Sequence, residues 1–168
     1  MVLKEIGFSR TGQGSTGSGL VSLPEILAAN NLPNTELLLI DGSGLSHDNQ
    51  ATCGLFQGIL QDSEYGVTLK EALPLVGVEG VVSNTLLGTP FASNLFAHAY
   101  FETDRGALVG SYTTPQGLEM NITYIGNFDD AESAENIHKS FLNGLAPILS
   151  EFTGGKTLEE MGPRSVIE

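Results

Sequence analysis

Basic residues are scarce. Seven Lys and Arg stand against 20 Asp and Glu, for a net charge of −13 over 168 residues. Such a chain repels phosphate backbones and anionic bilayers, so neither nucleic acid nor a membrane surface is an expected partner. Cysteine occurs once, at Cys53, which excludes an intramolecular disulfide and any multi-cysteine metal site. A lone cysteine of this kind reads as a small core residue. His47, His98 and His138 show no metal-ligand spacing, and neither a metal nor a cofactor is expected. No apolar run approaches the ~18 residues of a membrane span. The opening MVLKEIGFSR has no hydrophobic stretch long enough for a signal peptide, so the chain as written is expected in the cytoplasm.

Glycine, in contrast, is abundant: 21 residues, which predicts frequent turns. Val2 to Phe8 reads as a short helix, and TGQGSTGSG, Thr11 to Gly19, as a loop. Leu20 to Asn31 reads as a helix with Ser22 as N-cap, Pro24 in the first turn and Asn30-Asn31 at its end. Glu36 to Ile40 reads as a short buried strand. Ala51 to Gln61 has a helical apolar face of Cys53, Phe56, Ile59 and Leu60, and Val67 to Leu73 is a shorter helical piece. The period then changes. Leu95–Phe101, Ala107–Thr114 and Leu118–Asn127 read as successive strands, the last two joined by a turn at Thr114-Pro115-Gln116-Gly117. Asp129-Asp130 opens a helix to about Ser150, with Ile137, Phe141, Leu145 and Leu149 at helical spacing. Helices, then an antiparallel meander, then a closing helix make an α+β fold.

Several stretches suggest chemistry. GQGSTG, Gly12 to Gly17, fits the glycine pattern of a dinucleotide loop, but the preceding segment is helix-like where that loop needs a strand. No serine lies in G-x-S-x-G. In LLLIDGSGLSHDN, Leu37 to Asn49, Ser46 and His47 are neighbours in the chain, and adjacent side chains diverge. The cluster reads as a turn rich in side-chain-to-backbone hydrogen bonds. A triad of Ser43 or Ser46 with His98 or His138 is the rival reading. GGKTL, Gly154 to Leu158, has the wrong spacing for a phosphate loop and belongs to a polar tail.

Asp41 to Asn49, followed by Thr52-Cys53 and a helix, resembles the D-alanyl-D-alanine carboxypeptidase/endopeptidase family, the class C penicillin-binding proteins. VLKEIG, TGQGSTGSG, LKEALPLVGVEG, LLGTPFASN and ALVGSYTTPQGLEM continue the likeness in the family's order, roughly from Val2 to Ala146. The resemblance implies the C-terminal half of a penicillin-recognising catalytic domain over residues 1–152, then a tail at 153–168. It implies an extracytoplasmic, serine-type enzyme acting on peptidoglycan stem peptides through three motifs: Ser-x-x-Lys, Ser-x-Asn and Lys-Thr-Gly.

This chain departs from all three. Lys4, Lys70, Lys139 and Lys156 are its lysines, and none has serine three residues ahead. Ser-x-Asn would fall just before VLKEIG. Alignment on ALVGSYTTPQG puts His98-Ala99-Tyr100 where the family has Lys-Thr-Gly, and Phe101 where a backbone N–H lines the oxyanion hole. Histidine is no permanent cation for a substrate carboxylate, alanine lacks the threonine hydroxyl, and tyrosine fills the space a glycine leaves open. By the same resemblance Asp41, Ser43, Leu45 and His47 border the stem-peptide pocket, with His47 where arginine is common. The implied reading is a family member with no catalytic residue of its own. Its peptidoglycan-peptide or β-lactam binding depends on a surviving site. The alternative is a noncatalytic module that pairs with a separate N-terminal half or with itself.

Overall fold

In a computed structural model the described residues are 2–44, 46–62, 65–102, 104–128 and 131–151. Side chains at 131–136, 139 and 150 stand outside that description. The expected tail at 153–168 and the Asp129-Asp130 helix start lie outside the described residues. The elements are α1 (Val2–Thr11), α2 (Thr16–Ala29), α3 (Cys53–Gln61), α4 (Gly66–Ala72), a 3-10 turn (Gly80–Val82), β1 (Leu95–Phe101), β2 (Arg105–Thr113), β3 (Glu119–Asn127) and α5 (Ala131–Glu151). They form two compact units: Met1–Ala72 with Thr123–Ile125, and Leu73–Ile122 with Gly126–Glu168. No described helix is long and apolar enough to cross a membrane.

The first unit is helical. Gly12, at φ +74°, ends α1 and its N–H reaches the Phe8 carbonyl. Helix α2 starts earlier than its composition suggests. Ser15, not Ser22, is the N-cap and accepts from the Ser18 N–H at 3.0 Å. Ser22 is buried inside the helix, its hydroxyl donating to the Ser18 carbonyl. Poor helix formers occupy this first turn because α1 and α2 touch backbone to backbone. A Cβ on Gly19 would collide with the Leu3 carbonyl, and one on Gly7 would sit 2.8 Å from the Gly19 nitrogen. Asn30 and Asn31 end α2 as expected, Asn31 at φ 56°.

Two further expectations fail here. Cys53 is exposed. It is the first residue of α3, just after the Thr52 cap, and the residues that α3 buries are Leu55 and Leu60. The segment Glu36–Ile40 is not a buried strand. A single bridge joins Leu38 to Gln50, and Leu38 and Ile40 are exposed. Asn49 Oδ1 takes the Ile40 and Asp41 N–H groups, so no further ladder forms.

β1, β2 and the two ends of β3 belong to the second unit, and the three strands form an antiparallel sheet in the order β1-β2-β3. β1 pairs with β2 from Leu95↔Tyr112 to Phe101↔Gly106. β2 and β3 meet at a three-residue turn. The Gly117 N–H reaches the Thr114 carbonyl, Gly117 lies at φ +81°, and the Thr114 N–H reaches the Leu118 carbonyl. Pro115 and Gly117 therefore sit where a type I turn with a glycine bulge wants them. Leu95, Ala97, Leu108 and Tyr112 form one buried sheet face, and Phe91 meets Tyr112 edge-on at 5.5 Å. On α5 the buried ridge is His138, Leu142, Ala146 and Leu149, whereas the expected Ile137 and Phe141 are exposed. The face is rotated by one residue because a histidine takes a core position that hydropathy assigns to isoleucine.

Candidate functional site

The loop after Leu37 is built around one carboxylate. Asp41 Oδ1 accepts from the N–H groups of Ser43 (2.9 Å) and Gly44 (2.8 Å) and from Asn49 Nδ2 (3.2 Å), and Oδ2 accepts from the Ser46 N–H (2.7 Å). Desolvation pushes the Asp41 carboxyl upward. Asn49 and the backbone N–H groups of Gly44, Ser46 and Ser43 outweigh it, so the net direction is downward. Gly44, at φ +76°, makes the turn. The Ser46 hydroxyl accepts from the Asp48 N–H at 3.3 Å. Asp41 thus holds the loop together, Ser43 and His47 lie exposed on it, and Leu45 is outside the described residues. The dinucleotide pattern at Gly12–Gly17 is the junction of two helices, with α1 where a strand would be required.

His98, Ala99 and Tyr100, the residues expected at the Lys-Thr-Gly position, lie on β1, an edge strand in the second unit. His98 is paired with Val109, Ala99 with Leu108 and Tyr100 with Ala107. Phe96, His98 and Tyr100 share the exposed face, and Leu95, Ala97 and Ala99 the inner one. The Tyr100 hydroxyl is raised above its usual range, first by its hydrogen bond to Glu102, then by burial and the Glu102 charge. Arg105 continues this chain, with Nε 3.5 Å from Glu102 and Nη2 3.0 Å from Asp104.

Along the outer edge of β1, the Val76 N–H bonds to Leu95 and the Ala97 N–H to Pro74. Backbone groups of alternate residues point the same way. Ala99 and Phe101 therefore direct theirs to this outer side, and among the described residues no strand covers them there. This stretch can accept an extended backbone. It offers such a guest one histidine and an aromatic face, and no lysine.

Sequence reasoning missed what lies behind the strand. A cavity of about 700 Å³ is lined by Asn84 to Thr89, by Phe101 and Glu102, and by His138, Leu142 and Asn143. His138 is buried between Phe101 and Phe128. No sequence signal marks it, because hydropathy favours the ridge of Ile137, Phe141 and Leu145 one residue away.

The Asp41 loop belongs to the first unit and β1 to the second.

Comparison with known proteins follows this geometry. A model of the D-Ala-D-Ala carboxypeptidase 3 (S13) family matches residues 1–145. The D-alanyl-D-alanine carboxypeptidase of Actinomadura sp. is 29% identical over 168 residues, covering 95% of this chain and 30% of that protein. Penicillin binding protein 4 of Haemophilus influenzae, also solved complexed with a β-lactam, is similar in structure. Its TM-score is 0.73 at 22% identity, over 90% of this chain and 36% of that one. A predatory endopeptidase of Bdellovibrio bacteriovorus, solved with an immunity protein, has a TM-score of 0.57 at 17% identity, over 93% of this chain and 45% of that one. At these identities the structures show a shared fold. The chain spans 30% of the length of the curated relative.

Proposed function

The chain belongs to the D-Ala-D-Ala carboxypeptidase family, and from that premise we propose that it keeps part of a stem-peptide recognition strand and does not itself acylate. One observation carries this reading: no serine stands three residues ahead of any of its lysines. Serine oxygen without an adjacent base is a weak nucleophile. What stands at the Lys-Thr-Gly position supports the same reading. His98, Ala99 and Tyr100 occupy the open half of β1, with the tyrosine hydroxyl tied to Glu102. The outward backbone groups of Ala99 and Phe101 suit an extended peptide, and Asp41, Ser43, Leu45 and His47 are the proposed pocket wall. Residues 1–152 are the proposed extent of the domain.

A fluorescent penicillin followed by intact-mass analysis tests the reading. The expected result is no adduct. A stoichiometric adduct overturns the claim of inactivity.

A second reading is a noncatalytic module that pairs with a separately encoded N-terminal half or with a second copy. The uncovered half of the β1 edge favours it, since unpaired strand edges recruit other chains.

A further inference from the structure

We infer that His138 is an acid-operated latch: its neutral imidazole pins the end of the β1–β2 hairpin to α5, and its protonation frees that end and opens the cavity it lines.

The contacts converge on one ring. The Phe101 ring lies 5.5 Å away and tilted by 57°, and Phe128 meets the imidazole edge-on at 4.9 Å. The backbone of Arg105 hydrogen-bonds it. Gly106, opposite Phe101 in the register, leaves the room it fills. A Cβ there would lie 2.8 Å from His138 Cε1 and 2.5 Å from Phe101 Cδ1. The Phe128 N–H bonds to the Asp104 carbonyl at 2.7 Å, which joins the end of β3 to the same hairpin. Phe101, Arg105, Gly106 and Phe128 thus all meet α5 through His138, a residue only 3% exposed. Leu142, one turn along α5, continues the wall of the 700 Å³ cavity beside it.

Of the charged residues at the hairpin end, Glu102 lines the same cavity as His138 and Arg105 bonds the ring through its backbone, while Asp104 pairs with the Arg105 side chain. The arginine is engaged by both carboxylates, at 3.0 Å and 3.5 Å. The loop from Asn84 to Thr89 carries no titratable side chain, and neither do Leu142 and Ala146 on α5. The side chains of Glu132, Glu135 and Lys139 on α5 lie outside the described residues. Burial disfavours the imidazolium more than the Arg105 backbone favours it, so the ring protonates below its ordinary range.

The sign follows from linkage. An unfolded histidine takes its proton near pH ~6.5, and the folded one only at lower pH. The latch contributes fully above that value. Its contribution is lost as pH falls from there to the folded midpoint, and is constant below it. Within that window the unfolding constant rises by up to about tenfold per pH unit. Phe101 belongs both to the latch and to the open edge of β1, so acid release reaches the recognition strand.

Ring-resolved NMR of the full chain from pH 8 to 4.5, with urea unfolding at each pH, tests the inference. The His138 ring is expected to titrate below pH ~6.5. Leu142 methyl and Phe101 and Gly106 amide resonances are expected to move with the same midpoint, and His138→Gln to flatten the pH dependence of unfolding. Three results overturn it: a His138 ring titrating at or above the ordinary range, reporter resonances that ignore its midpoint, or an unchanged slope in His138→Gln. Should that variant not fold, the wild-type resonances decide alone.

Discussion

Asp41 shows how much one side chain can organise. Its two oxygens take four donors from a loop of nine residues, so the loop's shape depends on that carboxylate being ionised. Its folded proton affinity is depressed. The stability it contributes is therefore present above the ordinary aspartate value of about 3.9, and is lost as pH falls through the lower folded value. Asp41→Asn should shorten the acid limb. Between pH 5 and 2.5 its urea midpoint should fall less steeply than that of wild type, with a lower midpoint at pH 5. Equal slopes would mean that the ionised form is not what the loop needs. This role was legible in the residue types, because Asp, Ser and Asn near glycine favour side-chain-to-backbone bonds. The exposure of Cys53 and the burial of His138 were not. Whether a single residue faces in or out depends on the rotation of its helix, and composition leaves that open by about one position.

Among the elements, α2 begins before its composition predicts, for a physical reason. Gly17 and Gly19 lower helix propensity, so the first turn reads as loop. The helix forms because Gly19 lets α1 and α2 meet at the backbone. Identical substitutions should then have opposite signs. In the middle of α5, Gly144→Ala meets nothing within 4 Å and should gain about 0.5–1 kcal/mol of stability. Gly19→Ala gains the same propensity but drives a methyl into the Leu3 carbonyl, and overpacking of that kind costs about 1–3 kcal/mol. The clash should win. Urea denaturation of the two variants checks both signs, and a stabilised Gly19→Ala would remove the explanation offered for the early start of α2. The strands are legible: β1 spans Leu95–Phe101 as expected, and the hairpin turn is visible in Thr114-Pro115-Gln116-Gly117, where proline and glycine carry their own backbone angles.

For the whole molecule, charge and edge pull in opposite directions. A net charge of −13 keeps copies apart, while the uncovered half of β1 invites a strand. Light scattering should find monomers at low ionic strength and a rising mass near 0.3 M salt, where screening shortens the repulsion to a few ångströms, about 5–6 Å. A strictly monomeric particle at both salts would count against self-pairing. The α+β class and the order of elements were legible in the sequence, because a period of two over three consecutive segments has few other meanings. The division into two compact units, with the Asp41 loop in the first and β1 in the second, was not legible, since no local pattern encodes it.

The turn at Thr114–Gly117 has a consequence for how the chain finds its fold. It closes the β2–β3 ribbon with three residues, and the β1–β2 connection is shorter still. Loop-closure entropy is then small for every strand pairing in the sheet. Low contact order of this kind speeds folding. The sheet can assemble from sequence-local encounters alone, which leaves to later steps the less local contacts, such as those of His138 on α5 with Phe101 and Phe128.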